Sequence, residues 1–195
     1  MRGSTNTKER IVQAAFELFH LQGIKGTSVD EVLKKSDAGK SQFSHYFKTK
    51  DGLVLAVVDY LQRLIRSGKV DSSYSIKSWA DFDTWFSRYI KFQKTVDCEM
   101  SCPLGTIGSD LNSDQDQLRR AVNSFFEWAV GQLARFFAER RAAGELVAAA
   151  DPDALADFCL TVMEGGMLMS KISRDTKTFE NAAAQALAYI KLLRK

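Results

Sequence analysis

The sequence has few of the residues from which catalytic or metal sites are built. Its three cysteines, Cys98, Cys102 and Cys159, and its two histidines, His20 and His45, do not occur at the spacing of a zinc site. A glycine-rich phosphate loop and a combination of nucleophile and base are also absent. We therefore predict that the protein holds no metal and no cofactor, and that it is not an enzyme.

Long apolar runs and strand-like segments are missing as well. The sequence has no stretch of about 18 uncharged apolar residues, and its first residues lack the sections of a signal peptide. We expect a cytoplasmic protein that does not bind membranes. It contains only two prolines, Pro103 and Pro152, and no β-branched-rich alternation, so the pattern predicts an all-α fold of about nine helices.

Positive charge is concentrated near the N-terminus. Residues 1–50 contain 9 Lys and Arg against 5 Asp and Glu, whereas residues 51–195 contain 18 against 19. A basic segment attached to a nearly neutral body is typical of a small nucleic-acid-binding module. A merely solvated basic surface explains the charge equally well, so the charge alone does not decide.

Three short helices are predicted in this basic segment. The first runs from about Asn6 to Gln22, because Ile11, Ala15 and Phe19 recur on one face before Gly23. The second begins at Thr27-Ser28 and ends near Lys35, and the third covers Lys40 to Phe47. The four residues between them, 36–39, form a tight turn, which makes the pair a helix-turn-helix.

The remaining helices follow from apolar periodicity and capping residues. One helix is predicted to begin at Asp51 and to end before a polar stretch from Ser67 to Ser75, and the next covers about 77–96. A short helix follows Pro103, and a long one lies around Leu118 to Phe136. The last two helices begin after Asp151-Pro152 and run from about Thr178 to Leu193. We divide the chain into a helix-turn-helix DNA-binding domain, residues 1–50, and a helical ligand-binding and dimerisation domain, residues 51–195.

The N-terminal segment resembles the DNA-binding signature of the tetracycline-repressor (TetR) family. The resemblance covers about 50 residues and rests on the Thr27-Ser28 helix start, the aromatic-rich stretch 40–47 and the Lys48-Thr49-Lys50-Asp51-Gly52-Leu53 entry into the next helix. It departs at Ser44, where the family usually has tyrosine, and at Asp37, where it usually has glycine. The resemblance implies an N-terminal three-helix DNA-binding domain, a C-terminal helical ligand-binding domain and a homodimer.

A recognition helix in the major groove needs polar side chains toward the bases and apolar anchors on its back. Phe43 and Phe47 are the predicted anchors. The predicted base-facing residues are Lys40, Ser41, Gln42, Ser44 and His45, and the predicted phosphate contacts are Ser28, Tyr46, Lys48 and Lys50. The predicted partner is double-stranded palindromic operator DNA.

Two features of the C-terminal part predict an effector site and a dimer interface. Aromatic residues are frequent there, and although each taken singly is more readily explained as core, together they suit a small apolar effector. The predicted pocket residues are Trp85, Tyr89, Phe125, Trp128 and Met163, and the predicted interface residues on the last two helices are Phe158, Val162, Gly166, Ala183, Leu187 and Ile190. In this family the final two helices usually form a four-helix interface.

Residues 101–105 and 168–174 also resemble the branch of the family that contains the N-ethylmaleimide-reductase repressors. That resemblance implies a thiol that senses electrophiles or oxidants. It assigns Cys102 as the sensing thiol, with Lys171 as a neighbour and Cys98 as a resolving partner. A buried, inert cysteine is the equally weighted alternative for Cys102 and the preferred interpretation of Cys159.

The predicted function is that of a DNA-binding regulator, a repressor that releases a palindromic operator when a small-molecule, electrophilic or oxidising effector engages the C-terminal domain. Two alternatives stay open. One is a helical small-molecule-binding protein that does not bind DNA, and the other is a regulator that acts as an activator.

Overall fold

The computed structural model describes residues 6–68 and 74–195, and the protein is all-α in these ranges. No strand occurs there apart from an isolated bridge between Leu146 and Arg194. The helices are α1 Thr7–Gln22, α2 Val29–Ser36, α3 Lys40–Tyr46, α4 Lys50–Arg66, α5 Trp79–Asp83, α6 Trp85–Thr95, α7 Pro103–Asp110, α8 Asp116–Ala142, α9 Pro152–Ser173 and α10 Lys177–Leu193. The predicted fold of about nine helices is confirmed, with the segment 77–96 interrupted at Thr84.

The helix ends follow from local chemistry. The Asn6 side chain accepts a hydrogen bond from the Lys8 backbone N–H, 3.2 Å, at the start of α1. Asp151 caps α9 in the same way, and Pro152 occupies its first position. Asp37 ends α2 with φ 50°, a left-handed conformation that aspartate tolerates better than most residues. None of the helices in the described ranges has the length and apolarity that a membrane crossing requires.

The described residues group into two compact units. The first contains the described residues up to Leu64 together with Pro103–Asn123, and the second contains those of Ile65–Cys102 together with Ser124–Lys195. The division of the chain between residues 50 and 51 stays a prediction. Part of the predicted polar linker Ser67 to Ser75, residues 69–73, lies outside the described residues.

The first unit buries one face of each of its helices. Ile11, Ala15 and Phe19 of α1 are almost fully buried, as are Val32 of α2 and Val57 of α4. α1 packs against α2, α3 and α7. Phe43 of α3 and Phe47, which follows its last residue, are also buried, so the polar side of α3 is left on the surface.

The second unit is built around α9, which packs against α6 and α10. Gly166 of α9 lies directly against the ring of Phe179, and a side chain at this position would overlap that ring. The close approach of α9 and α10 therefore depends on this glycine. A separate aromatic group of Trp79, Phe82, Phe136 and Phe137 forms core.

Candidate DNA-binding and effector sites

The third helix presents a polar face to solvent and an apolar face to the core. Phe43 and Phe47 are buried, 8% and 6% exposed, with ring centroids 5.8 Å apart. All five predicted base-facing side chains are exposed: Lys40, Ser41, Gln42, Ser44 and His45. Two anchors beneath a row of hydrogen-bonding side chains are the arrangement that a recognition helix requires.

Two of these side chains already have partners in the free protein. The Gln42 Oε1 atom accepts a hydrogen bond from the Gly39 backbone N–H, 2.9 Å, which secures the start of α3. Lys40 Nζ lies 3.2 Å from Asp30 in an ion pair whose side chains are both largely exposed. Such an exposed pair is weak, so a phosphate or a base edge can displace Asp30 at little cost.

The predicted phosphate contacts lie around this face, and one of them has a structural role. Ser28 caps α2, because its hydroxyl accepts from the Glu31 backbone N–H, 3.2 Å, while its own N–H donates to the Glu31 carboxylate, 2.7 Å. The Glu31 carboxylate accepts hydrogen bonds from both the N–H and the hydroxyl of Ser28, and these two bonds lower the pKa of Glu31. Tyr46, the last residue of α3, and Lys48, two residues further on, are exposed, and Lys48 has φ 63°.

Lys50 is held within the protein rather than freely extended. Its Nζ donates to the backbone C=O of Ile24, 2.6 Å, and the Ile24 N–H donates to the Asp110 carboxylate, also 2.6 Å. Both backbone groups of Ile24 are thus bound by charged side chains, which fixes the turn between α1 and α2. Sequence reasoning missed Asp110, since 86 residues separate it from Ile24 and no local pattern reports the contact.

In the second unit, an aromatic cluster forms around Tyr74, which the sequence analysis did not select. Its ring centroid lies 5.9 Å from Trp85, 6.2 Å from Phe125 and 5.4 Å from Trp128. Tyr89 packs against Trp85 at 5.2 Å. Four of the five predicted pocket residues therefore share one cluster, and the fifth, Met163, is buried on α9.

This cluster and its surroundings contain a few buried polar atoms. The indole N–H of Trp85 and the amide of Gln93 are buried without a hydrogen-bond partner, as is Oε1 of Glu164. Burial raises the pKa of both Tyr74 and Tyr89. Gln93 and Glu164 were not predicted, although the spacing of residues 85, 89 and 93 on one helix face contained the signal for the former.

The three cysteines differ in accessibility. Cys98 and Cys159 are buried, 5% and 0% exposed, and burial raises the pKa of both thiols, that of Cys159 to about 12. Cys102 is partly exposed. Its thiol donates a hydrogen bond to Glu164, a neighbour that differs from the predicted Lys171, which lies two turns further along α9 and is partly exposed.

The predicted interface residues divide between surface and core. Phe158 is exposed, and Val162 and Leu187 are partly exposed. Gly166, Ala183 and Ile190 are buried within the subunit because they form the contact between α9 and α10, so their side chains are not available to a partner. The exposed large apolar residues of the two helices, which we call the apolar surface patch, are Phe158, Leu168, Met169, Ile172, Tyr189 and Leu192.

Two family models match the chain. The model of bacterial regulatory proteins of the tetR family matches residues 11–57, and that of the tetracyclin repressor-like C-terminal domain matches residues 82–186, more than half of the chain. The chain belongs to the TetR family. The first match spans the recognition helix with its two anchors, and the second spans Cys102 and the aromatic cluster except for Tyr74.

Known members of the TetR family resemble this chain over most of its length. The transcriptional regulator AcuR of Cereibacter sphaeroides is 28% identical over 84% of this chain and 76% of its own. The transcriptional repressor NemR of Escherichia coli is 24% identical over 92% and 91% of the two chains. The crystal structure of the regulatory protein TetR from Rhodobacter sphaeroides superimposes with a TM-score of 0.79, covering 94% of this chain and 98% of that one, at 25% identity.

As a TetR-family member, the protein is a DNA-binding transcriptional regulator and not an enzyme. Regulators of this family bind operator DNA, act as dimers and respond to small-molecule effectors. Three parts of this chain are the candidates for these properties. They are the exposed face of α3, the apolar surface patch, and the aromatic cluster with Cys102.

Proposed function

We propose that the protein is a cytoplasmic repressor that binds a palindromic operator as a homodimer and releases it when an effector engages the second unit. The observation that carries the DNA-binding part is the exposed polar face of α3 above the buried Phe43 and Phe47. Two copies of α3, related by two-fold symmetry, bind half-sites about 34 Å apart, one helical turn of DNA.

On the operator, the side chains of α3 divide into two roles. Gln42 and Lys40, with Ser41, Ser44 and His45 around them, face base edges, because α3 enters the major groove with its first turns. Ser28, Tyr46 and Lys48 contact phosphates and set the register of the protein. Lys50 contributes indirectly, since its ammonium group already holds the Ile24 carbonyl.

The apolar surface patch is the proposed dimer interface, and its occupant is a second copy of this chain. Six of the nine exposed large apolar side chains of the described residues lie on α9 and α10. Phe158 and Tyr189 also line a surface groove of about 650 Å³ with Leu155 and Leu193. Exposed apolar side chains concentrated on two helices in this way favour an interaction surface, and self-association through α9 and α10 satisfies the two-fold symmetry that a palindrome requires.

Two effector mechanisms are compatible with the second unit. In the first, an electrophile or oxidant modifies Cys102. In the second, a small molecule binds reversibly among Tyr74, Trp85, Tyr89, Phe125 and Trp128. We favour the first because Cys102 is the partly exposed cysteine of the three and because its thiol has a buried carboxyl neighbour.

The DNA-contact assignment predicts two different mutational effects. Lys40→Ala or Gln42→Ala is expected to weaken operator binding by about 1–3 kcal/mol and to leave binding to unrelated duplexes nearly unchanged, because these side chains face bases. Lys48→Ala is expected to weaken binding to all duplexes alike and to reduce its salt dependence. The measurement is titration of a selected operator duplex and a scrambled duplex at several salt concentrations.

Lys91→Ala, a change at an exposed lysine of α6, is the matched control and should alter neither affinity. If Lys40→Ala and Gln42→Ala both leave the operator affinity unchanged, α3 is not the recognition helix. Absence of any salt-dependent duplex binding by the wild-type protein would favour the alternative of a helical small-molecule-binding protein. Whether the regulator represses or activates is decided by transcription from the operator-linked promoter with and without the protein.

A further inference from the structure

The turn between α1 and α2 is held by side chains from two other helices. The Ile24 N–H donates to the carboxylate of Asp110, the last residue of α7, 2.6 Å, and the Ile24 C=O accepts from Nζ of Lys50, the first residue of α4, also 2.6 Å. The same carbonyl oxygen accepts from the Thr27 N–H, 3.2 Å. Ile24 is buried, and its two backbone groups are bound by an anion on one side and a cation on the other.

The chain around Ile24 leaves room for the Asp110 carboxylate. Gly23 has φ 76°, a left-handed conformation, and a side chain at this position would overlap Asp110 Oδ2. The Thr27 hydroxyl donates to the Gly23 C=O, 2.8 Å, and Thr27 is buried. The glycine and the threonine therefore close the turn around the residue that Asp110 and Lys50 hold.

This turn leads directly into the N-terminus of α2. Ser28, which follows Thr27, caps the helix and is exposed. Any change in the turn therefore moves the first residues of α2, where the phosphate contact is proposed. Hydrogen bonds that involve a charged group are stronger than those between neutral groups, so the bonds from Asp110 and Lys50 contribute most to the placement of the turn.

We propose that Asp110 and Lys50 are positioning residues for operator binding. They hold the turn so that Ser28 lies where it contacts a DNA phosphate, and neither residue contacts the DNA itself. This inference rests on the proposed phosphate contact of Ser28. It adds a residue of α7 to the DNA-binding machinery, although Asp110 lies outside residues 11–57, which the tetR family model matches.

The sign of the effect separates positioning from long-range electrostatics. DNA is a polyanion, so removal of a carboxylate from the DNA-binding unit raises the affinity for every duplex when only net charge matters. If Asp110 positions the turn, its removal leaves the Ile24 N–H without this partner and lowers the affinity instead. Asp114 is exposed in the same compact unit, so Asp114→Ala removes an equal charge and is the matched control.

The test titrates the selected operator and a scrambled duplex with each protein at several salt concentrations. Asp110→Ala should lower both affinities by about tenfold, and the slope of log affinity against log salt should not change, because no cationic contact is lost. Asp110→Asn keeps an acceptor oxygen for the Ile24 N–H and should remain within about threefold of wild type. Asp114→Ala should bind as wild type does or slightly more tightly.

Lys50→Met tests the other side of the turn, and it keeps the proposal testable if Asp110→Ala does not fold. Affinity should fall while the salt slope stays close to that of wild type, whereas Lys48→Ala should reduce the slope by about one. Because Asp110 and Lys50 hold the same residue, the double variant should lose less affinity than the product of the two separate fold-changes. A slope reduced by about one in Lys50→Met would assign Lys50 to a phosphate and overturn its positioning role.

Amide hydrogen exchange without DNA reports on the turn directly. Peptides that cover residues 22–28 should exchange at least about tenfold faster in Asp110→Ala than in wild type, while peptides of α9 should exchange at the wild-type rate. A loss of overall stability would instead raise exchange in both regions. Asp110→Asn should lie close to wild type in both.

A folded Asp110→Ala protein that binds the operator as tightly as wild type, or more tightly, would overturn the proposal. Equal losses in Asp110→Asn and Asp110→Ala would also overturn it, because the hydrogen bond to Ile24 would not be the cause. Weaker binding with unchanged exchange over 22–28 would have the same consequence. A wild-type protein that binds no duplex would reject the proposed function, whereas wild-type binding that Asp110→Ala does not weaken would reject this inference alone.

Discussion

Replacing Leu168 and Ile172 together by glutamate is expected to produce monomers and to lower operator affinity by at least about a hundredfold. Both side chains belong to the apolar surface patch and are exposed in the subunit, 50% and 67%, so the change should leave the fold intact. In a dimer they become buried, and unpaired carboxylates at a buried position are strongly unfavourable. The operator affinity falls because a monomer binds one half-site only.

Sedimentation velocity and operator titration measure the two effects. Phe92→Glu is the matched control, since Phe92 is an exposed apolar residue of α6 outside the patch. Circular dichroism should show the same helicity in all variants. A double variant that still sediments as a dimer would place the interface elsewhere on the molecule.

Cys102→Ser is expected to abolish the release of operator by electrophiles while leaving operator affinity in their absence unchanged. In wild type, modification should weaken operator binding by about 5–150-fold, the usual range of coupling between two sites. Cys98→Ser and Cys159→Ser should respond as wild type, because both thiols are buried and burial raises their pKa. The measurement is operator titration before and after treatment with N-ethylmaleimide, hypochlorite or a reactive aldehyde.

Equal release in wild type and Cys102→Ser would reject covalent sensing at this residue. It would then direct attention to reversible binding in the cluster around Tyr74. Release in neither protein would have the same consequence, and a screen of uncharged small molecules against the operator complex would follow.

The sequence predicted those parts of the molecule that are governed by local rules. The Asn6 and Asp151 caps, the Gly23 and Gly144 helix ends, and the burial of Phe43 beneath α3 all depend on residues within one or two helix turns. For the same reason the exposure of the predicted base-facing residues could be anticipated. The helical repeat that turns the two anchors toward the core turns these residues to the other side of the helix.

The side of α10 that remains exposed could not be predicted in the same way. α10 is apolar on two sides, so its sequence alone does not reveal which side packs on α9 and which remains exposed. The contact between Gly166 and Phe179 decides this, since it turns Ala183 and Ile190 inward and leaves Tyr189 outside. Helix packing, rather than periodicity, sets which residues of α10 remain exposed, and the assignment of the interface residues stays a prediction.

Contacts between residues that are far apart in the sequence could not be predicted from it either. The Asp110 carboxylate accepts a hydrogen bond from the Ile24 N–H, and Glu164 accepts one from Cys102. The two residues of each pair are too far apart in the sequence for a local pattern to predict the contact. Lys50 was predicted as a phosphate contact from its place in the motif, yet its ammonium group binds a backbone carbonyl of the same unit. The side-chain type was informative, but its partner depended on the tertiary fold.

We propose that a dimer of this protein binds a palindrome through two copies of α3, and footprinting of a duplex selected from a random pool tests this proposal most directly. We expect two protected half-sites about one helical turn apart, related by two-fold symmetry, with affinity that falls steeply as salt increases. We also expect Gln42→Ala to weaken protection in both halves equally. Selection that yields no common sequence, or a single protected site without symmetry, would contradict it.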